Sequence, residues 1–103
     1  MVVFSVLYPA KPGARFDFDY YKATHIPLVE EVFGPGGLKS VDVHQGLSAG
    51  DGGAAPFLCI AHLNFDSPEA MQQAFTAARA GEVMADVANF TDITPVSLVS
   101  AKS

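Results

Sequence analysis

Few side chains in this sequence have both the type and the setting for chemistry. They are the histidines His25, His44 and His62, the adjacent Tyr20 and Tyr21, the single thiol of Cys59, and Asp42, two residues from His44. An imidazole ionises near neutral pH, so each histidine is a candidate general acid or base. Three histidines with a carboxylate also invite a metal. No short ligand pair of the HxH or HxxxH kind occurs, however, and no metal site or other cofactor is expected. The chain has no Gly-rich phosphate loop, serine nucleophile elbow or paired catalytic carboxylates. Cys59 alternates with Phe57, Ala61, Leu63 and Phe65, the setting of a buried and inert thiol.

The elements that must position these groups follow from patterning. Val2 to Tyr8 is apolar almost throughout and reads as a buried strand ended by the turn-prone Pro9 to Gly13. Asp17 is placed to cap a helix running to Phe33, where Gly34-Pro35-Gly36-Gly37 stops it. From Lys39 to Leu47 the pattern alternates, with Val41, Val43 and Leu47 on one face and Asp42 and His44 on the other. The Gly- and Ala-rich stretch 46–56 predicts a mobile hairpin loop into a strand at Phe57 to Phe65. Ser67-Pro68-Glu69 is a strong helix start for a helix reaching Gly81. A short helical piece over Glu82 to Ala88 and a last strand over Ile93 to Val99 complete the chain.

The order is therefore βαββαβ, an α+β ferredoxin-like domain spanning residues 1–103, with a four-stranded antiparallel sheet and helices on one face. Two helices cover only one face of such a sheet. The other needs a partner, most simply the same face of a second copy, so a homodimer through the open sheet face is expected.

Within the first helix, Phe18, Tyr21, His25, Leu28 and Val32 keep the spacing of one face and point His25 toward the sheet. Pro27 lacks an amide hydrogen and its ring disfavours helical geometry at Ile26, which predicts a kink at His25 and a freed carbonyl at Ala23. Two readings of His25 follow. It is either a core histidine satisfied by such a carbonyl or an acid-base group facing the space that a kink opens. Tyr21 shares its face and divides the same way. His44 and His62 flank one hairpin, as cross-strand neighbours or with His62 opposite Asp42, depending on register.

Composition excludes other classes of function. Eleven acidic residues against six scattered basic ones give a net charge of −5, which fits neither nucleic acid nor an anionic membrane surface. One cysteine, an amino terminus without a basic leader and the lack of a long apolar run point to a cytoplasmic protein.

Three stretches, FDFDYYKATHIPLVEEVFGP, FLCIAHLNFDS and ANFTDITPV, resemble the EthD family over nearly the whole chain. The most specific part is Tyr20, Tyr21, His25, Pro27 and Leu28 followed by Asn89, Phe90, Thr91, Asp92, Ile93 and Pro95. The resemblance implies a dimeric ferredoxin-like α+β barrel, in a superfamily with cofactor-independent monooxygenases, small lactone isomerases and polyketide cyclases. Its namesake is associated with bacterial alkyl-ether degradation, without a settled chemistry. It favours the functional reading of His25. In this fold, Asn89 to Asp92 falls near Tyr8 and the start of the first helix, where Asn89 or Asp92 either orients a ligand or simply holds backbone.

Two hypotheses stand. One is an enzyme acting on a small, largely apolar organic molecule without metal, with His25 and Tyr21 as catalytic groups and His62, Tyr8, Asn89 and Asp92 around the ligand. The other is a non-catalytic module that binds such a molecule for a degradation pathway.

Overall fold

The computed structural model describes residues 1–101. The strands are β1 (Val2–Pro9), β2 (Leu38–Gln45), β3 (Phe57–Phe65) and β4 (Val96–Ala101), in the spatial order β2-β3-β1-β4. All pairings are antiparallel, and the fold is ferredoxin-like with β1 and β3 central. The register sets Ser5 and Asp42 on either side of His62, and Leu7 and Ser5 opposite Val96 and Leu98.

The helical layers lie on the face reached by Cys59, Ala61, Leu63 and Phe65, all buried. The first layer comprises α1 (Phe18–Tyr20), a π-helical turn (Tyr21–His25), α2 (Ile26–Phe33) and a 3₁₀ turn (Gly34–Gly36). The second comprises α3 (Pro68–Phe75) and α4 (Ala80–Phe90). The expected helix across Pro27 therefore exists, and its irregularity is a widened turn in which the Ile26 amide donates to the Tyr21 carbonyl five residues back. A π turn inserts one extra residue, and such turns occur frequently at functional sites. It also shifts the helix phase. The buried residues run Tyr21, His25, Val29, Val32 and Phe33, so Val29 replaces the expected Leu28, which is half-buried.

The second layer departs further from its sequence pattern. Ser67 caps α3 by accepting from the Ala70 amide, as expected. The helix then stops at Phe75, where the Thr76 hydroxyl donates to the Gln73 carbonyl at 2.6 Å. Gly81 lies in the first turn of α4 and does not end a helix. In place of the expected short piece, α4 has 11 residues and runs to Phe90, so β4 starts at Val96 and not at Ile93.

One close approach locks the layers together. A side chain on Gly36 would collide with the Ala74 backbone, and Gly37 has φ +129°, so the 3₁₀ turn lies directly on α3 because both positions are glycine. The core is aromatic at one end. Tyr8, Phe16, Tyr21 and Phe90 pack mostly edge-to-face with centroids 4.9–6.0 Å apart. On the uncovered sheet face, Val96 and Leu98 are 53% and 57% exposed.

Candidate functional site

The site is assembled where the two helical layers meet. The Asp17 carboxylate caps α1 by accepting from the Tyr20 amide, while its own amide donates to the Phe90 carbonyl at 2.8 Å. Phe16 bridges to Thr91, and the Thr91 hydroxyl donates to the Arg15 carbonyl at 2.6 Å. The Arg15 guanidinium donates to the Ala88 and Asn89 carbonyls, satisfying groups that the end of a helix leaves without partners. Together these bonds clamp the end of α4 to the start of α1 and bring Asp86 opposite the π turn.

His25 closes that turn and is 5% exposed. Its Nδ1 lies 2.9 Å from Oδ2 of Asp86. The other carboxylate oxygen accepts from the Tyr20 hydroxyl at 2.6 Å and from the Asn89 amide at 2.9 Å. Burial alone would raise the Asp86 pKa, but the hydrogen bonds from Tyr20, Asn89 and His25 outweigh it and hold the carboxyl below its ordinary value. For His25 burial dominates and lowers the pKa, against the opposing pull of Asp86. At neutral pH the pair is thus a neutral imidazole beside an ionised carboxylate. An acceptor-only carboxylate fixes the proton on Nδ1 and leaves Nε2 with a free lone pair.

Nε2 has no protein hydrogen-bond partner among the described residues, and no sealed side-chain nitrogen or oxygen among them lacks one. It therefore borders open space, and His25 lines a cavity of about 450 Å³ between helices and sheet. That volume falls within the usual range for small-molecule sites. The wall is apolar (Val29, Leu63, Val83 and Val87 among others) apart from His25, Tyr8, Tyr21 and Ser97. The imidazole stacks on Tyr21 with centroids 5.5 Å apart and abuts Phe90 at 4.6 Å. Burial pushes both tyrosine hydroxyls well above their ordinary pKa, and pushes the Cys59 thiol beneath Tyr21 up to about 11. All three stay protonated.

A profile of the EthD domain matches residues 14–94, most of the chain. The chain belongs to the EthD family. An EthD-like protein from Ralstonia eutropha is 33% identical, with a TM-score of 0.86 over 96% of this chain and 88% of that one. An EthD family protein from Bacillus halodurans is 23% identical, with a TM-score of 0.79 over 100% and 99% of the two chains. A dimeric protein of unknown function and ferredoxin-like fold from Bacteroides fragilis, 10% identical with a TM-score of 0.54 over 98% and 95%, shares the fold. No functionally curated protein matches.

The EthD chain brings three of the six expected site residues, His25, Tyr21 and Tyr8, to one cavity wall. It does not bring His62 there. Ala61 and Leu63 face the cavity, so strand alternation turns His62 to the open sheet face, where its Nδ1 meets the Ser5 hydroxyl at 2.8 Å. Asp42 is its cross-strand partner and the His44 ring a diagonal neighbour at 5.8 Å. Asn89, on the last turn of α4, does not line the cavity; its side-chain amide donates to Asp86 at 2.9 Å and reaches the Tyr20 hydroxyl at 3.4 Å. Asp92 accepts from the Arg15 backbone amide at 2.9 Å and does not line the cavity. No group of three or more potential metal-ligating side chains occurs among the described residues.

The group that sequence reasoning missed is Asp86. Its signal was an acid on the apolar stripe of an amphipathic helix, between Val83 and Phe90. Of the adjacent tyrosines it is Tyr20, and not the expected Tyr21, that reaches this carboxylate.

Proposed function

We propose that this EthD protein binds a small, largely apolar, uncharged organic molecule in the cavity beneath α2 and α4 and moves a proton on it, with His25 as the acid-base group. The observation that carries the reading is the division of one imidazole between two surroundings. Nδ1 is held by an ionised Asp86, while Nε2 opens onto an apolar cavity. A histidine that only filled the core would have both nitrogens occupied by protein groups. Tyr21 and Tyr8 contact the ligand from the same wall, and the reaction uses neither metal nor cofactor. The protein acts in the cytoplasm as a homodimer. Its interface is the open sheet face, where Val96 and Leu98 lie exposed beside Leu7 and Ile60.

Native mass spectrometry of the purified protein against a library of small apolar organic molecules tests the binding, and product analysis tests the turnover. The expected result is a ligand bound by the parent and by His25→Asn, with turnover lost in the variant. Asparagine keeps a donor toward Asp86 and so separates chemistry from folding. Binding without turnover in both proteins identifies a non-catalytic binding module, and a ligand seated elsewhere removes the site assignment.

A further inference from the structure

We infer that the open-face dimer is proton-sensitive, with His44 as the sensor: two copies hold together while both His44 rings are neutral and separate when acid charges them. The inference rests on the proposed homodimer through that face and adds how its assembly responds to pH.

The outward side chains of the sheet fall into two zones. Leu7 of β1, Ile60 of β3, and the exposed Val96 and Leu98 of β4 form an apolar zone. Beside it, Ser5, Ser40, Asp42, His44, His62 and Asn64 form a polar one. Most of the polar zone is satisfied within the chain. The Ser5 hydroxyl meets Nδ1 of His62 at 2.8 Å, and the Asn64 amide donates to the Ser40 hydroxyl and to Asp42, each at 3.0 Å. Polar groups paired among themselves lose little on leaving water, which suits this face to an interface. His44 is the exception. It is exposed and has no hydrogen-bond partner among the described residues, only an edge-to-face contact with the His62 ring at 5.8 Å. It is also the cross-strand partner of Ile60, so a copy seated on the apolar zone covers His44 as well.

Charge sets the direction of the effect. Among the described residues, Asp42 is the one acid that the register turns outward, and no lysine or arginine joins it. β1 brings Val3, Ser5 and Leu7 to this face and β4 brings Val96, Leu98 and Ser100, none of them titratable. Asp51, in the loop after β2, accepts from the Gly53 amide at 2.9 Å, and Lys39 is paired with Asp66 at 3.2 Å. Asp42 lies directly across from His62, so a proton on His62 meets a counter-charge. A proton on His44 meets none. Burying an uncompensated charge in an apolar contact is disfavoured, so the dimer holds the neutral ring whereas the monomer, open to water, accepts either form. A two-fold interface brings both copies of His44 and doubles the effect. A group held neutral in the dimer stabilises it above the range near pH 6.5 in which imidazoles ionise, and that stability is lost as pH falls below it.

Sedimentation equilibrium at pH 7.5 and 5.5 tests this on the parent and on His44→Gln, whose side chain is polar, similar in reach and unable to titrate. Circular dichroism at each pH checks the fold, and both proteins keep His25, so any loss of the fold itself in acid appears in both. The dissociation constant of the parent is expected to rise by about 10²-fold between the two pH values, one proton for each His44, and that of the variant by less than about threefold. In NMR, the His44 ring signal is expected to titrate at lower pH in the parent dimer than in monomeric Leu98→Ser, a readout that does not depend on the glutamine variant. An equal rise in parent and variant, no rise in the parent, or a ring signal that titrates alike in dimer and monomer overturns the inference and leaves the dimer standing. A parent that is monomeric at pH 7.5 removes the dimer and the inference together.

Discussion

His25 and His62 sit on opposite faces of one sheet and show how differently the same side chain can be held. His25 is buried, with Nδ1 on an ionised carboxylate that Tyr20 and Asn89 also hold. His62 is half-buried, with Nδ1 on the neutral hydroxyl of Ser5 and no helix above it. A carboxylate fixes a tautomer and stabilises an imidazolium, whereas a hydroxyl can donate or accept and does neither. Residue type therefore says little about a histidine's role until its second nitrogen has been located. On the covered face that nitrogen meets an apolar cavity; on the open face the neighbours are polar, with Asp42, Asn64 and Ser40 joined by their own hydrogen bonds.

The two faces should respond unequally to damage. Phe90 is fully buried against Tyr8, Phe16, Tyr21 and His25. Phe90→Ala should cost about 3–5 kcal/mol in urea unfolding. A smaller loss would mean that the aromatic end of the core does not anchor α4 as described. Asp86→Ala removes the acceptor of three hydrogen bonds and should cost about 1–3 kcal/mol. Ser5→Ala, on the open face, should cost about 1 kcal/mol or less, since water can replace its hydroxyl at the half-buried His62. Equal losses for Asp86→Ala and Ser5→Ala would break the contrast between the two histidines.

Acid sharpens it further. Because the folded pKa of His25 is lowered, the fold favours the neutral ring, and that stability is present above the unfolded value of about 6.5. It is lost as pH falls from there toward the lowered folded pKa. Asp86, also lowered, contributes stability above its ordinary carboxyl value that is lost only at still more acid pH. Urea midpoints measured from pH 7.5 to 5 should fall for the parent and stay flatter for His25→Asn. Identical slopes would show that His25 is not held neutral. The smallest effect belongs to the open face. Leu98→Ser, at a position 57% exposed, should change the chain's own stability by no more than about 0.5 kcal/mol while shifting the proposed dimer toward monomer in sedimentation at micromolar concentration. A monomeric parent would remove the proposed use of that face.

Much of the architecture was legible in the chain itself. Strand alternation at Phe57 to Phe65, the Ser67 cap and the Asp17 cap are local signals, set by side-chain direction and by hydrogen bonds within a few residues. They determined the order of elements and the covered face of the sheet, and the spacing Tyr21 to His25 placed the imidazole inside. Pro27 likewise announced an irregular helix, because a missing amide hydrogen is a property of the residue. Tertiary structure decided the rest. The π turn moved the buried phase from Leu28 to Val29, since only packing against the sheet selects which irregular turn relieves a proline. α4 outran its pattern to Phe90 because the Arg15 guanidinium, far away in sequence, satisfies its last carbonyls. Asp86 became the partner of His25 across 61 positions for the same reason: a hydrogen bond needs 3 Å of space and no particular separation in sequence, and only the docking of α4 on the π turn supplies that distance.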